Sequence, residues 1–476
     1  MSNRRWPAVV VLVVVLGALL GLSSRRDPRS PAHFGLVTST AMPVAAPAGA
    51  MTSTWYCADG TAQPGAAFNL SLILANAGTE VRTARITWVP STGSKVTRAV
   101  SVPGNDSVTV AATTVLTAPT VSALVEVDGG DVAVEHAVSG PNGSSVAPCA
   151  TQASDRWYFA NGVTERDAQE VLALFNPFPD DAVVDLTFST DLGQANPREV
   201  QGLPIPAGST VYVKVQDVVR RRAVAAVAVT ARTGRLVVDR VQVFDGSAGR
   251  SGVSLALAAP AGADTWQFPD GLFQPGSLGE SWHIYNPNDD EAEVTLTVVP
   301  VSGDTPDPVD LTVPPHTEQS IDAAAAKIAP GVAHSATITS QNGVPVVAER
   351  AIDARAPSAR RGWSSTLGSA ITATRWLFPA GEAGARTDEW IVVSNPGAQK
   401  VTISVLALAD RLRLPIESLQ DLAIPAGGRL ALRLGDHIER TPLPVVVEAS
   451  GKVAVERDVY GVGRVGVSAV LGVPLA

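Results

Sequence analysis

Four stretches of this chain repeat one another. "WYCADG" at Trp55 returns as "WYFANG" at Trp157, "WQFPDG" at Trp266 and "WLFPAG" at Trp376. The starts lie 102, 109 and 110 residues apart, and 101 residues run from the last to Ala476. Other landmarks keep step. An apolar segment ends in Asn76, Asn176, Asn286 and Asn395, and an apolar-Pro turn follows at Pro103, Pro206, Pro314 and Pro425. An acid-base dipeptide comes next: Glu135-His136, Asp239-Arg240, Glu349-Arg350 and Glu456-Arg457. A Gly-x-Ser ending at Ser145, Ser254, Ser364 and Ser468 closes each series. Five landmarks in the same order four times mean tandem units, each one supersecondary assembly.

The period and the patterning set the fold class. Segments such as "VTLTVV" from Val294 alternate apolar and polar residues, as half-buried strands do. Charged residues make up only 17% of the chain, against about 25% in ordinary globular proteins. Pro and Gly are plentiful, which suits short strands joined by tight turns. The expected fold is therefore all-β: four tandem immunoglobulin-like β-sandwich domains of about seven strands and about 100 residues each. A propeller blade would repeat at about 40–50 residues. The units are read as 55–150, 151–260, 261–370 and 371–476. Connectors such as "GADT" before Trp266 are short, so the domains are expected to touch in a semi-rigid rod. Helical content is expected to be small, with a turn at 164–170 and another at 322–328.

Ahead of the repeats, Arg4 and Arg5 precede an uncharged apolar run from Trp6 to Leu22. Its 17 residues reach the short end of a membrane-spanning helix, and no small-x-small cleavage pattern follows promptly. This reads as a short cytoplasmic N-terminus, 1–5, then a transmembrane signal anchor, 6–22. A flexible Pro/Ala/Ser-rich spacer over 23–54 would follow. The bulk of the chain is expected outside the cytoplasmic membrane. Cys57 and Cys149, the only cysteines, enclose nearly one repeat and are expected to form a disulfide in an oxidising compartment.

Sites of chemistry are scarce. No two of the six histidines stand at metal-ligand spacing, and no nucleophile elbow or phosphate-cradling loop occurs. The acids at Asp180-Asp181 and Asp289-Asp290-Glu291 lack the alternating spacing of a Ca²⁺ loop and read as solvated turns. A net charge of −9 gives no footprint for nucleic acid. Neighbouring strand residues point to opposite faces, so one member of each dipeptide needs a charged partner inside the sandwich or at a domain junction. The repeated Trp residues are read as core or junction packing, leaving Trp88, Trp282, Trp363 and Trp390 as candidates for an exposed glycan-stacking surface.

The combination of Trp-x-Phe-x-x-Gly, Asn-Pro, apolar-Pro-Ala-Gly and Glu-Arg from Trp55 to Ala476 resembles a family of anchored or secreted actinobacterial proteins catalogued as a domain of unknown function. The resemblance implies an envelope location and a β-rich exterior, and brings no catalytic residue. The first repeat departs most, with Cys57 for Phe, Ala77-Gly78 after Asn76, and His136 for Arg. The expected role is a non-enzymatic structural or protein-interaction module of the envelope, with no cofactor, metal or nucleic acid. Binding of cell-wall glycan or peptidoglycan is the alternative, and a hydrolase site hidden across repeats the more distant one.

Overall fold

A computed structural model describes residues 41–66 and 68–475. The expected cytoplasmic N-terminus, the membrane segment 6–22 and the spacer up to residue 40 lie outside the described residues. Among the described residues, no helix is long and apolar enough to cross a membrane. The chain is all-β, in several antiparallel sheets.

The first repeat sets the pattern. Its strands are β1 (Ser53–Cys57), β2 (Asn69–Asn76), β3 (Arg82–Pro90), β4 (Val96–Val102), β5 (Asp106–Ala111), β6 (Val121–Val127), β7 (Val132–Gly140) and β8 (Gly143–Pro148). They form two four-stranded sheets, β1-β6-β3-β4 and β5-β2-β7-β8. Along β3, Ala84, Ile86 and Trp88 point inward with a period of two, and they meet Leu72 and Leu74 of the other sheet. The third repeat uses the same order, and the second adds short edge strands. In the fourth, the sixth and seventh strands run together as Val445–Gly461.

Eight strands, not about seven, build the unit, and the first lies beside the sixth. That order differs from the ABED/CFG arrangement of immunoglobulin domains. A second seam explains the placement. The backbone of Tyr56 pairs with Ala150 just past β8, and Tyr158 with Ala259 and Gln267 with Ser369 do the same. The first strand thus closes its own repeat at both edges. Hydrogen-bonded turns, not helices, occupy both expected places: Ala168 N donates to Glu165 O (3.1 Å) where a strand starts, and 322–328 turns likewise, while an α-helical turn lies at Val215–Val218.

Each landmark Asn joins two turns. Asn286 is fully buried, and its Nδ2 donates to Asp290 O (2.7 Å) and Val313 O (2.9 Å), while its Oδ1 accepts from Asn288 N (3.0 Å). Asn76, Asn176 and Asn395 repeat this with Glu80 and Val102, Asp180 and Ile205, and Gln399 and Pro425. The Asn therefore ties its own turn to the apolar-Pro turn. Replacing Asn286 by Ala leaves these backbone groups unpaired in the interior. It is expected to lower stability by about 2–4 kcal/mol in urea denaturation.

The repeats do not extend into a rod. β8 lies against the last strand of repeat 2 (Ser251–Leu257), which lies against that of repeat 3 (Gly362–Leu367). That strand in turn lies against the last strand of repeat 4 (Val467–Leu471), which returns to β8. Four last strands therefore surround one axis and the repeats close into a ring. Short connectors permit this because every repeat has apolar residues on the face turned to its neighbour. Leu377, Leu408 and Val446 of repeat 4 join the core of repeat 1. The spacer reading also needs correction: Ala41, Met42, Pro43 and Ala45 are buried, with Ala41 to Pro43 against the ends of all four last strands. Ala45 N donates to Pro474 O (2.9 Å).

Candidate functional site

The Gly-x-Ser landmark lines this axis. Ser145 Oγ accepts from Leu255 N (3.0 Å), Ser254 Oγ from Ser365 N (3.1 Å), Ser364 Oγ from Ala469 N (3.2 Å) and Ser468 Oγ from Val146 N (3.3 Å). Each serine caps the next repeat's strand, and the fourth returns to the first. The preceding glycine makes room for the contact. Gly252 has φ of +144°, and a Cβ there would lie 2.6 Å from Trp363 N of the next repeat.

The acid-base dipeptides make a second, wider circle. His136 Nε2 meets Asp239 Oδ2 at 3.1 Å, Arg240 Nη2 meets Glu349 Oε2 at 2.7 Å, Arg350 Nη2 meets Glu456 Oε1 at 2.6 Å, and Arg457 Nη2 meets Glu135 Oε2 at 3.3 Å. The base always belongs to one repeat and the acid to the next. All eight side chains are buried. The two neighbours on each strand thus serve two different junctions, as opposite strand faces require.

The Trp-x-Phe-x-x-Gly loop completes each junction. Trp157, Trp266 and Trp376 lie in the cores of their own repeats, with indole N–H groups on Leu236 O (2.8 Å), Val346 O (2.7 Å) and Val453 O (3.1 Å). Trp55 is buried likewise. Arg240 stacks over the Phe159 ring at 4.4 Å and donates to Asn161 O. Glu349 accepts from Ala160 N (2.8 Å), and Glu135 and Asp239 accept from Ala380 N (2.8 Å) and Ala58 N (2.6 Å) in the equivalent loops. The motif is therefore a receptor for the next repeat's acid.

A second carboxylate was not recognised from the sequence. Glu170, Glu280 and Glu389 stand six residues before the landmark Asn in repeats 2 to 4, where repeat 1 has Leu70, and all are buried. Their shared phase was the available signal. The motif glycine accommodates this group, because a Cβ on Gly162 would lie 2.6 Å from the Glu170 carboxylate oxygens. The third junction is the most crowded. Asp458 and Glu280 lie 3.7 and 4.0 Å from Arg350, and His334 pairs with Glu280 at 3.0 Å. Burial works against the Arg350 charge, but the surrounding carboxylates outweigh it and hold the guanidinium protonated.

The tryptophans expected to be exposed are not. Trp88, Trp282 and Trp363 are buried, and Trp390 is half-buried with its indole on Asp388 (3.0 Å). A cleft of about 640 Å³ opens between repeats 2 and 3. Tyr158 and Tyr285 form its floor, and Arg156, Gln194, Asn196 and Asn288 are among its polar walls.

Residues 110–265 match a family of unknown function (DUF5719). The DUF5719 stretch holds the first two dipeptides and Cys149, and its description assigns no activity. No curated protein matches the chain. Among solved structures, Thermotoga maritima 1070 is 24% identical, with 23% of this chain and 94% of that one covered and a TM-score of 0.21. A tetra-tandem repeat from the extending region of a large adhesion protein is 13% identical, covering 89% of this chain and 100% of that one, with a TM-score of 0.10. Likenesses this low bring nothing about fold or function to this chain.

Within the DUF5719 stretch, burial pushes the Glu170 carboxyl up to about 8, with Arg240 pulling it down and Glu349 pushing it up. Burial lifts Glu389 to about 7 against the pull of Arg457. In the unfolded chain both titrate near 4.5. The native chain then holds protons that the unfolded chain has already lost, so stability falls as pH rises from about 5 to 8. Glu170→Gln is expected to remove up to one proton of that slope, about 1.4 kcal/mol per pH unit. Urea midpoints across this range measure it, and an unchanged slope would refute the assignment.

Proposed function

We propose that the chain is a non-enzymatic structural or protein-interaction module of the cell envelope. Residues 6–22 would anchor it in the cytoplasmic membrane, and the β-sandwich repeats, immunoglobulin-like in size, would lie on the extracytoplasmic side. One observation carries this reading. The repeated charged residues, the most prominent chemistry in the sequence, are spent on closing the ring, each acid on the neighbouring repeat's base and loop. A closed ring presents a fixed surface on which a partner protein can assemble without the chain reordering. Crosslinking in living cells, with identification of the captured proteins, tests it. Capture of defined envelope proteins is the expected result, and a cytoplasmic set of partners would overturn it.

A second reading, binding of cell-wall glycan, is favoured by the cleft between repeats 2 and 3, where amide and guanidinium side chains surround a tyrosine floor. Such groups suit sugar hydroxyls. Retention on purified cell-wall glycan, lowered at least about tenfold by Asn288→Ala, is the expected result for that reading; no retention removes it.

A further inference from the structure

The first junction differs from the other three at four positions at once. Where repeats 2 to 4 place Phe159, Phe268 and Phe378, repeat 1 has Cys57. Cys149 stands where Ala258, Gly368 and Gly472 lie against those rings or beside them. His136 replaces the arginine, and its partner acid is Asp239 where the other repeats use Glu. A disulfide needs the two cysteines alone. The imidazole and the shortened acid call for a further reason.

The geometry supplies one. Cys57 Sγ, Cys149 Sγ and one ring nitrogen of His136 lie within 4.8 Å of one another, the one such set of three potential metal ligands among the described residues. His136 Nδ1 lies 3.4 Å from Cys149 Sγ. Two ligands on a tetrahedral zinc, one sulfur and one nitrogen, lie about 3.6 Å apart. His136 Nε2 lies 3.1 Å from Asp239 Oδ2 without hydrogen-bond alignment, so the carboxylate favours a proton on that nitrogen by its charge and leaves Nδ1 as the ligand atom toward the sulfurs. A carboxylate behind a histidine is the usual means of orienting a metal-binding imidazole. Charge points the same way. The other junctions contain a permanent guanidinium, whereas this one holds an imidazole in its place.

We propose that, with its bridge reduced, the first junction binds one thiophilic divalent cation of the Zn²⁺ class through Cys57 Sγ, Cys149 Sγ and His136 Nδ1. Asp239 acts as a positioning residue, and a fourth position is left for water. An external thiol or phosphine supplies the two electrons that cleave the S–S bond, and the two cysteine thiols give up their protons when the cation binds. An exported chain passes through this dithiol state before its bridge forms. The cation form and the disulfide are then alternative closures of the same seam, with the sulfurs about 3.8 Å apart in the former. All the ligands are fully buried, so loading accompanies folding of the junction rather than simple mixing.

Refolding the full-length chain with a phosphine reductant and equimolar Co²⁺, a coloured stand-in for Zn²⁺, tests this. One Co²⁺ per chain is expected, with thiolate-to-cobalt absorption in the near ultraviolet that Zn²⁺ abolishes. The oxidised chain and Cys57→Ser should lack it. Zn²⁺ affinity should fall about 10–100-fold in Asp239→Asn. Zn²⁺ should also raise the Tm of the reduced wild-type chain and leave that of reduced His136→Gln unchanged. A reduced chain with two free thiols whose Tm is indifferent to Zn²⁺ would overturn the proposal. So would cobalt absorption that persists in Cys57→Ser or His136→Gln.

Discussion

Arg350→Met is expected to cost the chain about 3–5 kcal/mol, the usual penalty for removing one partner of a buried ion pair. Methionine keeps most of the side-chain volume, so the loss reports the charge and not a cavity. Without the guanidinium, Glu456, Asp458 and Glu280 face one another inside the third junction, with Arg350 no longer 2.6, 3.7 and 4.0 Å away. Burial already pushes Glu456 and Asp458 above the ordinary carboxyl range. Removing Arg350 raises them further, so the variant's stability should fall more steeply with rising pH than the wild type's, and acidification should recover part of the loss. The double variant Arg350→Met/Glu456→Gln should cost less than its two single changes added together, by about 0.5–3 kcal/mol. Urea denaturation of the full-length chain measures each arm. A loss below about 1 kcal/mol in the single variant would show that the ring does not depend on this pair.

Much of the repeat architecture was legible because it is local. A buried Trp on a short strand, an Asn that tolerates a turn and a Pro that ends a strand are fixed by neighbours a few residues away. The Asn hydrogen bonds to its own turn show why that residue recurs. Eight strands in place of about seven escaped notice because the fourth and fifth, Val96–Val102 and Asp106–Ala111, are half-exposed edge strands with weak alternation.

Ring closure was not local. Three of the four acids meet a base about one repeat away in sequence, and the period would be the same in a rod. The signal lay in the terminal repeats. A rod of four units has three junctions, which would leave the acid of the first repeat and the base of the last without partners. Glu135 and Arg457 are nevertheless both present, and they pair with each other at 3.3 Å. Two buried charges retained at opposite ends of a repeat series imply an interface between those ends. The second carboxylates, Glu170, Glu280 and Glu389, were hidden for a different reason: they sit in strands whose other residues set the alternation, and the fourth member is Leu70.

The bridge between Cys57 and Cys149 should be the other large single contribution. The chain-entropy account gives about 4–5 kcal/mol for a loop of this length, and losing a native bridge usually costs about 2–5. Cys57→Ser/Cys149→Ser is therefore expected to lose about 2–5 kcal/mol and to be cleaved first within repeat 1 under limited proteolysis. The other repeats show what the bridge replaces. Their seam between the first strand and the residues after the eighth carries the same backbone pairing, but a Phe ring fills it, stacked beneath an arginine in repeats 2 and 4. In repeats 3 and 4, a Cβ on Gly368 or Gly472 would lie 2.7 Å from the ring. If this packing is interchangeable with the bridge, Cys57→Phe/Cys149→Gly/His136→Arg/Asp239→Glu should recover at least about half of what the double serine variant loses, without any cross-link. Recovery would make the first repeat a variant of the common seam. A quadruple variant no more stable than the double serine one would instead tie the first junction to its cysteines.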